Sequence, residues 1–322
     1  MPQVFRSCRL AACVLAGSLA ASVAVAEPLN RQWVDANATW LMHIDVEAAK
    51  NSSIGRYVLD HAEQLHLNLD GMKSMRECLG VDPIEDVRSI TMYGVGDDDG
   101  RTVGLFVLSR EVDTVIDRIN TEAGTPAEEI EVDGRVFRVW EMPDERIYAY
   151  TREMTPGERW LVVAGVRSDQ IDQAVDVVDG HALNLDLAPE PVIEANPKAG
   201  SVLFGVVSDL RNMAKVRRDS VVAQRADAFQ LDMGELSGEA FCRMLIHTES
   251  NEDATHIASF MQGLISAGIL MSQQDPEKEP LRRLALATRV EADGASLSVS
   301  ISFPTQEIID ALRDAAEQQK KM

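Results

Sequence analysis

The stretch RVEADGASLSVSISF, residues 289–303, decides the fold class. Its Asp293-Gly294 pair supplies the positive φ angles that a tight hairpin turn requires. After the turn, apolar residues alternate with serine and share one face of a strand: Leu297, Val299, Ile301 and Phe303. This alternation is typical of an antiparallel sheet that has one buried face and one wetter face.

The same kind of signal recurs along the chain. EIEVDGRVFRVW (129–140) also turns on Asp-Gly, and FQLDMGELSGEAFCRMLIH (229–247) turns at Gly238. RSITMYG and VGLFVLS flank the aspartates at 97–99 and predict a further hairpin. RIYAYTREMTPGERWLVVAG (146–165) reads as an extra hairpin in the first half of the chain.

Helices are predicted between these hairpins. Residues 46–65 and 211–229 each follow a strand-like run, TWLMHIDV and SVLFGVVSDL. Four further helices show apolar residues at helical spacing. Their apolar positions are Val112, Val115, Ile116 and Ile119; Ile171, Ala174, Val175 and Val178; Ile257, Phe260, Met261 and Leu264; and Ile308, Ile309, Leu312 and Ala316.

The order of these elements predicts an α+β protein with two related halves. Each half is expected to form an antiparallel sheet with helices packed on one face. We divide the chain into a signal peptide (1–26), a first half (27–180), a linker (181–200) that contains three prolines, and a second half (201–322).

Three short motifs carry a resemblance to known proteins. They are WLMHIDVEA (40–48), GVDPIEDVRSITMYG (80–94) and VVDG (177–180). With them the chain resembles uncharacterised families of exported bacterial proteins that have two related ferredoxin-like α+β halves. The resemblance implies a fold and brings no assigned catalytic residues.

The first 26 residues have the features of a secretory signal. Arg6 and Arg9 precede an apolar run, and Ala24-Val25-Ala26 fits the small-x-small cleavage rule, so we expect a mature chain that begins at Glu27. Lipidation at Cys13 is disfavoured because most of the apolar run follows that residue. We expect a periplasmic or secreted protein without a later transmembrane segment, which would need roughly 20 apolar residues.

Charge limits the classes of partner. The chain has 52 acidic and 31 basic residues and a formal net charge of −21. This excess repels phosphate groups, which disfavours nucleic acids and anionic membrane surfaces and is compatible with a cationic partner.

The aspartates at 97–99 are the most conspicuous candidate for a cation site. With Gly100 at position 6 of an EF-hand loop, Asp97 and Asp99 fit positions 3 and 5. Positions 1 and 12 are Val95 and Phe106, which cannot serve as side-chain ligands. We therefore favour a plain hairpin turn over a calcium site.

His43 and Asp45 share one face of a predicted strand, with Glu47 one step further, and could form an acid–base pair. The alternative is that these polar residues begin the following helix. None of the six histidines has metal-ligand spacing: His43, His61, His66, His181, His247 and His256. Cys78 and Cys242, the thiols left after signal removal, are expected to be unpaired, with a disulfide as the alternative. All four tryptophans, Trp33, Trp40, Trp140 and Trp160, fall in the first half, which predicts an aromatic surface there, with core packing as the alternative.

These observations predict an exported, non-catalytic binding or protein-interaction module of the cell envelope. We assign no catalytic, cofactor-binding or metal-binding residue and expect no cofactor. The expected partner is an envelope protein or peptide, or a small apolar ligand. The alternatives are an envelope hydrolase assembled from residues remote in sequence, for example around His43 and Asp45, and a calcium-dependent structural or adhesive protein.

Overall fold

The computed structural model describes residues 26–62, 64–65, 73, 76, 81–96, 101–142, 145–210, 225–272 and 279–319. Contacts divide the chain into two compact units. Unit 1 contains Ala24–Lys50 and Leu67–Ala195, and unit 2 contains Asn51–His66 and Asn196–Met322. The architecture is mixed α+β with antiparallel strand pairing, which confirms the predicted class.

The described residues form twelve strands and seven α-helices. The strands are β1 (Trp40–Asp45), β2 (Val87–Gly94), β3 (Thr102–Leu108), β4 (Glu128–Val132), β5 (Arg135–Glu141), β6 (Arg146–Thr155), β7 (Arg159–Gly165), β8 (Ser201–Val207), β9 (Ala226–Leu236), β10 (Glu239–Thr248), β11 (Thr288–Asp293) and β12 (Ser296–Pro304). The helices are α1 (Val46–Lys50), α2 (Ser53–Asp60), α3 (Val112–Ala123), α4 (Ser168–Val178), α5 (Asn251–Ser272), α6 (Glu279–Ala287) and α7 (Thr305–Gln319).

Unit 1 is built on strands in the order β1-β2-β3-β7-β6-β5-β4, each antiparallel to its neighbour. Alternate side chains of the central strands are buried, among them Leu41, Leu105 and Leu161. Helix α4 packs on β7, β6 and β3. Its predicted apolar stripe, which includes Ile171 and Val175, is fully buried.

Unit 2 has the strand order β8-β9-β10-β12-β11, also antiparallel throughout. Helix α5 packs on β11, β12 and β10. Leu297 and Val299 of β12 are buried in this core, as their alternation with serine predicts. Helix α2 packs on α7, where the Arg313 guanidinium carbon is 6.0 Å from the centre of the Tyr57 ring.

The predicted hairpins are confirmed. Asp133 and Gly134 have φ angles of 51° and 79°, and Ser237 and Gly238 have 57° and 81°, so both turns use the left-handed conformation. Across the aspartate turn, Gly94 pairs with Thr102.

Two predicted helices differ from the structure. Residues 46–65 form two short helices, because Ser52 interrupts the run and its Oγ accepts a hydrogen bond from the Gly55 N–H at 2.7 Å as an N-cap. In the predicted helix 211–229, residues 211–224 lie outside the described part. Ala226–Phe229 instead begin β9, because the tight turn at Gly238 pairs them with β10.

Much of the predicted linker packs within unit 1. The Leu185 N–H donates to the Val34 carbonyl at 3.1 Å, and the Arg31 guanidinium donates to the Leu185 carbonyl at 3.0 Å. Ile193 and Ala195 are buried. Apart from residues 51–66, which also belong to unit 2, the division between the units falls at residues 195–196, inside the segment 181–200.

Two glycines allow a close backbone approach in unit 2. A Cβ atom on Gly200 would lie 2.1 Å from the Glu235 carbonyl oxygen, and one on Gly234 would lie 2.0 Å from the Gly200 oxygen. Gly200 also has a φ of +78°. Only glycine fits both requirements at position 200.

Candidate functional site

The aspartates at 97–99 were the candidate for a cation site. Residues 97–100 lie outside the described residues, so the calcium alternative at Asp97 and Asp99 stays a prediction. Among the residues that the structure does describe, no group of three or more His, Cys, Asp or Glu side chains is arranged to hold a metal ion.

His43 lies in the interior of unit 1 with both ring nitrogens occupied. Strand pairing places Thr91 directly opposite it, and the Thr91 Oγ1 is 2.8 Å from His43 Nδ1. The carbonyl oxygen of Glu27 is 3.2 Å from Nε2. Because a carbonyl only accepts, Nε2 carries the proton and Nδ1 accepts from the Thr91 hydroxyl. Burial lowers the pKa of His43 to about 4, so the imidazole is neutral at pH 7.

Asp45 lies two residues further along β1 and is also buried. Its Oδ1 accepts the Ala48 N–H at 2.7 Å, at the start of α1. Its Oδ2 is buried and has no hydrogen-bond partner among the described residues. Burial raises the pKa of Asp45 to about 6, and the acidic side chains of Glu27 and Glu47 act in the same direction.

This arrangement is poorly suited to hydrolysis. The Thr91–His43 hydrogen bond is the kind of nucleophile–base contact that the hydrolase alternative requires. Thr91, His43 and Asp45 are each at most 5% exposed, however, which leaves a substrate no access to the hydroxyl. The contacts make His43 and Asp45 buried polar residues of the core.

The remaining histidines do not converge on this cluster. His61 stacks on the Tyr57 ring with 4.3 Å between ring centres, in unit 2. His181, His247 and His256 are exposed. His66 lies outside the described residues.

The tryptophans of the first half are packed into the protein. Trp140 is buried and its Nε1 donates to Asn120 Oδ1 at 2.9 Å. Trp33, Trp40 and Trp160 are half-buried. The contacts therefore support the core-packing alternative over an aromatic binding surface.

Cys242 has a free thiol. It is half-buried on β10, and burial raises its pKa, which keeps the thiol protonated at pH 7. Its possible partner Cys78 lies outside the described residues.

Helix α5 exposes apolar side chains whose helical spacing predicted a packed face. Ile257 and Met261 do pack against the core of unit 2, together with Ala258. Phe260 and Leu264 do not, because they are 55% and 54% exposed. Helix α5 is apolar on more than one face, so the face that packs on the sheet contains only part of the predicted apolar stripe.

We call the exposed apolar residues of α5 and α6 the α5 surface. It consists of Phe260, Leu264, Leu270 and Met271 on α5 and of Leu284 and Leu286 on α6. The two helices pack against each other. Contiguous exposed apolar patches are typical of interaction sites, whereas single exposed apolar residues are ordinary.

The composition of α5 is unusual for a surface helix. It has 22 residues and is rich in apolar side chains, yet its buried residues are only Ala254, Ile257, Ala258 and Ser272. By length and composition alone, it is the one helix among the described residues that could cross a membrane. The sequence predicted no membrane-spanning segment after the signal, because serine, glutamine and glycine interrupt the apolar residues of α5.

Comparison with known proteins gives a structural likeness and no sequence relative. No protein-family model and no curated protein matches the chain. In structure, the chain is similar to TP0453. Crystal form I of TP0453 matches with a TM-score of 0.46 and 8% identity, and the match covers 90% of this chain and 98% of that chain. Crystal form III matches with a TM-score of 0.44 and 7% identity, over 88% and 97%. At these values the likeness assigns neither a family nor a function.

Proposed function

We propose that the protein is an exported, non-catalytic interaction module of the cell envelope, and that it binds another protein through the α5 surface. The observation that carries this proposal is the exposure of four large apolar side chains on one helix. Covering them with an apolar partner surface would remove them from water, which is the dominant favourable term in protein association.

The charges near α5 favour a protein over a membrane as the partner. Helices that lie on membranes carry Lys and Arg on their polar face. Helix α5 has neither, and its charged residues are Glu252 and Asp253. The two arginines of α6 are paired with carboxylates, Arg282 with Glu279 and Arg283 with Glu307. With a net charge of −21 on the chain, an anionic headgroup layer is repelled.

The same charges indicate which kind of surface the partner should have. The expected surface is apolar at its centre, to cover Leu264 and Phe260, and basic at its rim, to complement the exposed Glu252. A second copy of this chain fits less well because two acidic surfaces would face each other.

Export rests on the signal-like residues 1–26, with cleavage after Ala26. A periplasmic or secreted location follows from such a signal.

We also infer that the two halves are related by duplication. Unit 2 has the strand order β8-β9-β10-β12-β11, and unit 1 has the equivalent order β1-β2-β3-β7-β6 with β5 and β4 added. In this alignment of the two units, β6–β7 matches β11–β12, and β4–β5 is the hairpin that unit 1 has in addition. The sequence pattern instead predicted that residues 146–165, which form β6–β7, were the additional hairpin.

The test is native mass spectrometry of the protein isolated gently from its host envelope, compared with the same sample after denaturation. Wild type is expected to lose a protein-sized mass on denaturation. Leu264→Glu should lack this mass, because a charge at the centre of the surface would have to be desolvated. Gln262→Glu is the matched control, because it adds the same charge at an exposed polar position of α5 and should keep the partner.

Both variants should have the thermal midpoint of wild type, since Leu264 is largely exposed and its replacement empties no core. A lipid-sized mass, a homodimer, or a bare wild-type monomer would each contradict a heterologous protein partner.

A further inference from the structure

Glu27 is held in place by both its backbone and its side chain. Its carbonyl oxygen is 3.2 Å from His43 Nε2, and its carboxylate forms an ion pair with Arg159 of β7. The Glu27 side chain is only 13% exposed in this pair. Ala26, the residue before it, is exposed. Glu27, the residue that follows the expected cleavage site, is therefore packed into unit 1 by its own contacts.

The backbone N–H groups of Ala48 and Glu27 both act on the buried Asp45 carboxylate as hydrogen-bond donors. The Glu27 N–H acts on the Asp45 carboxylate and lowers its pKa, against the larger opposite effect of burial. Asp45 is 1% exposed, and its Oδ2 is buried without a hydrogen-bond partner among the described residues. The side chains of Glu27 and Glu47 are acidic and add to the cost of its charge. A buried carboxylate in such surroundings is stabilised by a cation.

We infer that removal of the signal supplies this cation: hydrolysis of the Ala26–Glu27 bond leaves the α-ammonium group of Glu27 paired with the Asp45 carboxylate. In that step a signal-removing peptidase adds water across the amide. Ala26 leaves with the new carboxylate, and the Glu27 nitrogen gains the protons that make it an ammonium group. The nitrogen need not move far, because it already faces Asp45.

This pairing makes the stability of unit 1 depend on processing. While residues precede Glu27, its nitrogen is a neutral amide, and no cationic side chain among residues that the structure describes forms an ion pair with the buried Asp45 carboxylate. After cleavage, the ammonium group and the carboxylate stabilise each other, so the pKa of Asp45 should fall and that of the α-amino group should rise. The inference rests on the proposed export, because it needs cleavage after Ala26.

The experiment compares two otherwise identical chains, one that begins at Glu27 and one that begins at Ala26. Each is released from a fusion partner by a protease that leaves the chosen first residue. Thermal unfolding at pH 7 is measured together with the pKa of Asp45, followed by NMR of its carboxyl carbon.

The chain that begins at Glu27 should unfold at least about 3 °C higher than the chain that begins at Ala26. The pKa of Asp45 should lie below its usual value in the first chain and above it in the second. In Asp45→Asn the difference between the two chains should vanish. Asp232→Asn is the matched control, since Asp232 is equally buried with an unpartnered Oδ1 but lies in unit 2, and it should leave the difference intact.

Equal midpoints for the two chains, or a difference that persists in Asp45→Asn, would overturn the pairing. The first residue of the protein recovered from its host is read by N-terminal sequencing, and any residue other than Glu27 would overturn the inference too. That failure leaves the α5 surface untouched, because the mass experiment on Leu264 does not depend on residue 27.

Discussion

Acidification from pH 7 to pH 4 is expected to destabilise the protein through His43. This imidazole is buried, and its two nitrogens are matched to the Glu27 carbonyl and the Thr91 hydroxyl in the neutral form. Burial lowers its pKa from 6.5 to about 4, and the hydrogen bond to the Glu27 carbonyl opposes this shift without cancelling it. The folded protein therefore binds a proton at this site less readily than the unfolded chain does.

The sign and the magnitude follow from linkage. The stability that His43 contributes is fully present above pH 6.5, where both states are neutral, and is lost as the pH falls towards 4. A fall of the pKa from 6.5 to about 4 corresponds to about 3 kcal/mol of unfolding free energy at the acid end.

The assay is urea unfolding at several pH values for wild type and His43→Gln. Glutamine can donate to the Glu27 carbonyl and accept from Thr91, but it does not titrate. Asp45 has the opposite effect on stability, because its pKa is raised and its protonation below pH 6 removes the cost of a buried charge. Both proteins contain Asp45, so its contribution cancels when their unfolding free energies are compared. Between pH 7 and pH 4, the free energy of unfolding should fall by about 3 kcal/mol more in wild type than in the variant. Equal losses, or an NMR titration of His43 near 6.5, would refute the reasoning.

Two further predictions concern stability. Gly200→Ala should lower the free energy of unfolding by more than about 2 kcal/mol, because its Cβ would clash with the Glu235 carbonyl oxygen; Gly263→Ala, on α5 with open space around it, should raise it by up to about 1 kcal/mol. Arg135→Ala should lower the free energy of unfolding by about 1–2 kcal/mol, because this largely buried guanidinium bridges three carboxylates of α4 and its C-cap. Arg146→Ala is the control, because it removes an exposed ion pair and should leave stability unchanged. Chemical denaturation measures both pairs, and a loss for Arg146→Ala equal to that for Arg135→Ala would contradict the second prediction.

Local signals were sufficient to predict much of the fold. Asp133-Gly134 and Gly238 mark turns through backbone conformations that few residues adopt, so their hairpins could be identified from the sequence. The alternation of Leu297 and Val299 with serine likewise revealed which face of β12 is buried. These features depend only on neighbours in the chain.

The candidate sites depend on contacts that are remote in sequence. Thr91 meets His43 only through the register of β1 with β2, and Glu27 reaches the same histidine from outside any strand. Neither contact has a local signal. On α5, Phe260 and Leu264 follow helical spacing as well as the packed residues do, so periodicity alone could not tell which apolar face meets the sheet.

The most direct test of the central claim is a photoreactive amino acid placed at position 264 of the exported protein and activated in intact host cells. The α5 surface should then cross-link to another protein from position 264 and not from position 262, which lies on the same helix at an exposed polar residue. A lipid adduct at position 264, or equal labelling from both positions, would contradict a protein partner at this surface.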